Sequence, residues 1–202
     1  LRVPGGRPRL LVLPFLNRGP PSQAYLVDGV TDDVMSRLAR MPGLAMIARA
    51  TATAVLRSEQ DPAVLAERVN ADFVLAGAVL FSSASAGGGA IRITAELLGA
   101  TGSECVWTES FETAPGDVSW VPDGITEGVA HAMGLRLAPV VAASTRARQT
   151  TDPRAYDLYL RGRHAWNRRT ADGLREAMGY LQRAIEIDSG YALAYAGLAD
   201  VF

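Results

Sequence analysis

The chain contains no lysine: all twenty of its basic residues are arginine. That absence excludes a Schiff-base lysine, a P-loop lysine and the lysine of a kinase site from these residues. Cysteine is almost as scarce. Cys105 stands alone, so neither an internal disulfide nor a Cys-based metal centre can form. Histidine occurs twice, as His131 and His164, and neither has a Ser or Cys nucleophile next to it, so no catalytic triad can be read. Long apolar runs are missing too. The strongest, 130–143, is broken by Arg136 and Pro139 and falls short of the ~18 residues that a membrane helix needs. No signal-peptide pattern is visible. The lack of disulfides fits the cytoplasm, with the extracytoplasmic region of a membrane-anchored protein as the alternative. Position 1 is Leu rather than Met, which reads as a fragment and leaves an upstream anchor open.

What is present suits a folded chain. Its 202 residues are 49% hydrophobic, enough for one substantial core and a satellite. A formal net charge of -1 argues against electrostatic binding of nucleic acid by the chain as a whole. The charge is uneven: residues 136–183 hold ten Arg against Asp152, Asp157, Asp172 and Glu176. Exclusive use of Arg beside abundant Ala reads as coding bias rather than as a binding adaptation.

Residues 1–8, with Pro4-Gly5-Gly6 and Pro8, read as a linker. Arg9 to Phe15 is an apolar run of the kind expected for a strand buried on both faces. Val27, Val30, Val34 and Leu38 recur at helical spacing until Met41-Pro42-Gly43 stops them. Leu44 to Ala48 is a second short strand. Asp61-Pro62 is an N-cap followed by Pro at the first helical position, ahead of Leu65, Ala66 and Val69. Phe73 to Leu80 is a third strand, and Gly87-Gly88-Gly89 is a hairpin tip. Ile91, Ile93, Ala95 and Leu97 then alternate with polar residues, as in a strand with one wet face. After Thr101-Gly102 comes a strand from Glu104 to Phe111, with Cys105, Trp107 and Phe111 on one face and Cys105 expected in the core. Ile125, Val129, Met133 and Leu137 define a closing helix, expected to start after Pro122. The order is β-α-β-α-β-β-β-α, an α/β fold with a mixed five-stranded sheet over residues 9–141. A linker at 142–151 leads into helices.

The helices have a repeat pattern. Tyr195-x2-Leu198-Ala199-x2-Phe202 and, upstream, Leu158, Gly162 and Ala165 occupy equivalent positions, followed by Ala177, Leu181 and Ala184 and a turn at Ser189-Gly190. Residues 152–202 thereby resemble one tetratricopeptide repeat and the first helix of a second, the start of an α-solenoid. Leu158 to Tyr195 spans 37 residues against a usual period of about 34, and the excess is assigned to the loop around Arg169 to Gly173. Such repeats bind polypeptides. With Gly162 at the helix contact, Tyr156, Tyr159, Arg163, Trp166 and Asn167 are the candidate protein-interaction groove, rich in the residue types of interface hot spots. The competing reading docks the same residues onto the α/β domain.

A wider resemblance follows from motifs along the chain: Leu13-Pro14-Phe15-x-Asn17, Tyr25-x2-Asp28-Gly29-x-Thr31-Asp32-Asp33, Val74-Leu75-x-Gly77-x-Val79, Arg92-Ile93-Thr94-Ala95-x-Leu97, Trp107-x-Glu109 and Asp117-Val118. Together with Ala155-Tyr156-Asp157-Leu158-Tyr159-Leu160-Arg161-Gly162, they resemble the TolB amino-terminal-like domain followed by tetratricopeptide repeats. The resemblance implies a non-catalytic sensory or scaffolding region of a bacterial signalling protein. The effector, a cyclase, a serine/threonine kinase or a winged-helix DNA-binding domain, would lie outside these residues. The alternative is a small-ligand-binding or envelope-assembly module.

Chemistry-bearing clusters are few. Asp28 and Asp32 share a helix face and, with Asp33, could hold a hard cation or the positive end of another element. A cation site needs more oxygen ligands than these, and a structural role, easing the helix dipole from its first turn, is the simpler reading. Gly29 could admit a phosphate, yet no G-x-G-x-x-G follows the first strand. Both histidines read as surface residues. The cluster Arg161, Arg163, Arg168 and Arg169 reads as a solvated helix face or a partner for acids of further repeats. Binding of an acidic peptide or a phosphate backbone is the alternative, although the cluster lacks the aromatic interleaving of single-strand binders. Neither catalytic residues nor metal ligands nor a cofactor are expected, and the expected partner is a protein or peptide rather than nucleic acid.

Overall fold

The computed structural model describes residues 6–56, 61–82, 89–100, 104–114, 116–135 and 150–201. Among them lie strands β1 (Arg9–Val12), β2 (Leu16–Asn17), β3 (Ala45–Met46), β4 (Phe73–Ser82), β5 (Ala90–Gly99) and β6 (Cys105–Thr113). The helices are α1 (Ala24–Leu38), α2 (Arg49–Leu56), α3 (Pro62–Val69), α4 (Val121–Ala132), α5 (Pro153–Asn167), α6 (Ala171–Ile187) and α7 (Ala192–Ala199). A turn of 3-10 helix, Pro21–Gln23, leads into α1.

The sheet is mixed and open. Its order is β3-β1-β4-β5-β6, with β1 parallel to β3 and β4, and β4, β5 and β6 antiparallel. The expected five strands are joined by a sixth, β2, which pairs parallel to β4 through Leu16↔Ala78 and Asn17↔Val79. Pro14 has no N–H to donate, so the run from Arg9 breaks there and resumes as β2 further along β4.

Leu10, Leu11 and Val12 are all buried because β1 is covered on both faces. Leu10 and Val12 join the larger core with α1 and α4, while Leu11 and Leu13 meet Ala52, Leu65 and Ala66 of α2 and α3. Helix α3 starts as its sequence dictates: the Asp61 carboxylate accepts from the Ala63 N–H at 2.8 Å and Pro62 opens the first turn. Helix α2 has no counterpart in the expected order; it buries only Ala52, too little to leave an apolar rhythm.

Three local expectations are corrected. Helix α4 begins at Val121, not after Pro122, because proline fits the first turn, where its missing N–H is not needed. Cys105 is exposed rather than in the core. A bulge aligns Leu97 with Trp107 but Leu98 with Cys105, and Val106 rather than Cys105 packs against the core. Finally, α5 and α6 are joined through residues 168–170 alone, so the excess over the usual repeat length does not lie in a long loop. Gly87, Gly88, Thr101, Gly102, Leu137, Phe202 and residues 142–149 of the expected linker lie outside the described residues.

Helix α5 packs on α1, extending the layers beyond the sheet. Ala155, Tyr156, Tyr159 and Leu160 belong to the same hydrophobic cluster as Val27, Val30 and Val34. Helices α5 and α6 form an antiparallel hairpin. A Cβ on Gly162 would lie 2.8 Å from Leu181 Cγ, so only glycine permits this approach. Thr170 caps α6 by accepting from the Gly173 N–H at 3.1 Å.

Candidate functional site

Helix α1 is the shared wall between the α/β unit and the helices that follow. Val30, Val34 and Leu38 pack into the core, while Tyr25, Asp28, Gly29 and Asp33 meet α5. Gly29 is a close-approach residue, but what approaches is Leu160: a Cβ there would stand 2.5 Å from Leu160 Cδ2.

Polar contacts bracket this apolar contact. At one end, the Tyr25 hydroxyl donates to Asp157 at 2.6 Å and accepts from Arg161 Nη2 at 2.7 Å. Arg161 Nε donates to the other Asp157 oxygen at 2.7 Å, and its guanidinium carbon lies 4.1 Å from the Tyr25 ring centroid. Burial, with the hydrogen bond to Asp157 second, pushes the Tyr25 phenol well above its ordinary range, so it stays a donor. Beside it, His164 Nδ1 is 3.1 Å from an Asp28 oxygen.

In the middle, Tyr156 donates to Asp33 at 2.7 Å. Tyr156 is 1% exposed and Asp33 8%. Burial raises the Asp33 pKa, opposed by the Tyr156 hydrogen bond and the positive charge of Arg37. The same burial drives Tyr156 upward, and it pushes Tyr159 up to about 12. One turn beyond Asp33, Arg37 forms an ion pair with Asp123 of α4.

The acidic cluster therefore faces protein groups, Asp28 beside His164, Asp32 paired with Arg49 and Asp33 beneath Tyr156. These acids sit in the second and third turns of α1, not the first, which removes the helix dipole as their explanation. Among the described residues, no group of three His, Cys, Asp or Glu is placed to hold a metal ion. No helix of the described residues is long and apolar enough to cross a membrane.

Of the five groove candidates, Tyr159 and Arg163 line one hollow of about 160 Å³ together with Asp32, Arg40 and Leu193, while Tyr156, Trp166 and Asn167 are not part of its lining. Tyr156 does not line a groove; it lies in the junction with α1. Tyr159 is buried with its ring 5.2 Å from that of Tyr191. Trp166 turns the other way, donating from Nε1 to the Asp200 carbonyl at 3.0 Å, with Arg169 stacked 3.6 Å from its ring centroid. Arg163 stands 5.1 Å from that ring and 3.8 Å from the Asp200 carboxylate. Asn167 is exposed. Of the other aromatics, Trp107 is half-buried against the core and Trp120 is exposed, its ring edge-on to Phe111 at 5.9 Å.

Sequence reasoning missed Tyr25, Asp157, Arg161 and His164 as a set. The signal was present in two motifs that look unrelated in the chain. Tyr25-x2-Asp28-Gly29 and Tyr156-Asp157-x2-Leu160-Arg161 are the two sides of one contact.

Residues 7–121 match the family described as HilA/YgeH-like transcriptional regulator, second domain. A relative named "Putative adenylate cyclase 3", from Rhizobium meliloti (strain 1021), is 32% identical over 194 residues. That match takes in 96% of this chain and 32% of the relative, so the chain spans about a third of the relative's length. Similar solved structures include TolB from Acinetobacter baumannii, 14% identical with a TM-score of 0.47, covering 64% of this chain and 29% of that one. Lipoprotein GNA1162 from Neisseria meningitidis is 17% identical with a TM-score of 0.44, covering 64% of this chain and 99% of that one.

Proposed function

Since this chain belongs to the HilA/YgeH-like transcriptional regulator family through its second domain, residues 7–121, we propose that it is a non-catalytic coupling region of a larger bacterial regulatory protein. The effector, a cyclase, a kinase or a DNA-binding domain, lies outside these residues in this reading. Helices α5 to α7 are one tetratricopeptide repeat and the first helix of the next, and they receive a protein or peptide partner. Residues 9–141 are the TolB amino-terminal-like unit to which that signal passes, and the region works in the cytoplasm.

One observation carries this reading: α5 is joined to α1 by apolar packing at Gly29 and Leu160 and by hydrogen bonds on both sides of it. A partner that shifts α5 must move α1, and α1 is buried on its other side against the sheet. Coupling needs such a contiguous packed connection between two sites.

The test uses the full-length protein. Removing residues 150–201 should leave the effector's basal output in place and abolish its response to partner. The chain alone should turn over neither nucleoside triphosphates nor esters. Turnover by the chain that disappears in Asp32→Asn would overturn the proposal, as would an effector response that survives the deletion.

A further inference from the structure

Where the end of β4, the start of β5, the start of α1 and α5 meet, the surface opens into a cavity of about 590 Å³. That lies inside the range of ~300–1,000 Å³ typical of small-molecule sites. Leu26, Phe81 and Ile91 give it apolar walls, and Tyr25, Asp157 and Arg161 form a polar end. A second hollow of about 220 Å³ shares Tyr25 and Arg161 with it and adds His164, Arg168 and Tyr180.

The polar end is richer in donors than in free acceptors. Both Asp157 oxygens already accept, from Tyr25 and from Arg161 Nε. Arg161 uses Nε and Nη2 in the contacts to Asp157 and Tyr25, while Nη1 takes part in neither. Arg168 adds a second guanidinium, held by an exposed ion pair with Glu176 that a ligand can replace at little cost. His164 adds an imidazole, its Nδ1 beside Asp28.

From this geometry we propose that the cavity binds a small amphipathic organic anion. Its flat apolar body lies against Phe81 and Ile91, and its carboxylate or sulfonate meets Arg161. Because the walls come from α1, the sheet and α5 together, such a ligand touches both sides of the junction. The proposal goes beyond the coupling role and stands or falls independently of it.

The experiment titrates the 202-residue chain with anilinonaphthalene sulfonate, an apolar ring system bearing one anionic group, and with neutral phenylnaphthylamine as its uncharged counterpart. Fluorescence gives affinity and stoichiometry, and amide chemical shifts give the location. One saturable site is expected, with shifts at Leu26, Ser82 and Ile91. Phe81→Ala, which removes the apolar wall opposite Ile91 without touching the ion pairs, should weaken both probes about tenfold or more by taking away the surface they lie against. Arg161→Gln should weaken the sulfonate roughly tenfold, the scale of one lost charge-assisted hydrogen bond, and leave the neutral probe unchanged. Any loosening of the junction by Arg161→Gln would instead affect both probes alike. Absence of saturable binding, indifference to Phe81→Ala, equal effects of Arg161→Gln on the two probes, or shifts confined to α7 and lost in Tyr195→Ser would each overturn the proposal.

Discussion

The Tyr156 hydroxyl donates to the Asp33 carboxyl at 2.7 Å, joining two residues 123 positions apart with both withdrawn from water. Removing that donor with Tyr156→Phe should lower stability by about 1–3 kcal/mol, the range for orphaning a buried polar partner. Urea unfolding of the two chains reads the difference; an unchanged midpoint would mean the bond contributes nothing.

Asp33 also sets a pH dependence. Its folded pKa is raised above the ordinary 3.8, mainly by burial, so the folded state favours the protonated acid. The stability it contributes is fully present below that value and is lost as pH rises through the folded pKa. Asp33→Asn removes the titration while keeping an acceptor for Tyr156. The variant should gain on the parent as pH rises above about 4, and the gap should close below the unfolded pKa. Unfolding curves at matched ionic strength test this, and a gap independent of pH would contradict it.

Gly29 and Leu160 give a reciprocal test. Gly29→Ala places a methyl where Leu160 Cδ2 already sits, and overpacking of this kind costs about 1–3 kcal/mol. Leu160→Ala leaves a cavity instead, at about 2–5 kcal/mol. Each defect relieves the other, so the double variant should be more stable than the sum of the single losses allows. Strict additivity, measured by thermal or urea unfolding, would show that the two residues do not bear on each other.

These contacts explain why the fold was more legible than the site. Buried strands announce themselves through runs such as Leu10-Leu11-Val12, and α3 through Asp61-Pro62, because those signals are local. Cys105 was misplaced because a bulge shifts alternation by one residue, and nothing in the sequence around Val106 marks it. The acids of α1 could be placed on a helix but not given partners. Arg49 lies 17 residues from Asp32, while Tyr156 and His164 lie more than a hundred residues from theirs, and spacing carries no information at that range.

The last helix offers a dynamic prediction. Tyr195 of α7 is 48% exposed, and Ile187 at the end of α6 is also exposed. The end of α7 is held by packing of Leu198 and Val201 on the core and by the Trp166 bond to the Asp200 carbonyl, with Arg163 near the Asp200 carboxylate. Amides of α7 should therefore exchange faster than those of β4, which is paired along both edges. Trp166→Phe keeps an aromatic ring and removes the donor, so it should speed exchange in α7 without affecting β4. Equal protection of α7 and β4 in a verified monomer would contradict this.

Arg37 gives the severest test. Its side chain is 4% exposed, it pairs with Asp123, and its Nε and Nη2 have no hydrogen-bond partner among the described residues. Asp123 belongs to α4, so the pair spans the two helices that cover one face of the sheet. Asp123→Asn removes the countercharge and leaves a guanidinium that cannot shed its proton. Breaking a buried pair in this way costs about 3–5 kcal/mol, since the remaining charge has lost its ion-pair partner. Arg37→Met should cost less, because the apolar chain fills much of the same volume and leaves Asp123, 34% exposed, within reach of water. Adding Arg37→Met to Asp123→Asn should therefore restore stability rather than lower it further, a reversal of sign that simple loss of packing cannot produce. Urea midpoints of the four chains decide it. If Asp123→Asn unfolds with the parent, or the double variant is the least stable of the four, this ion pair is not what steadies α1 against α4.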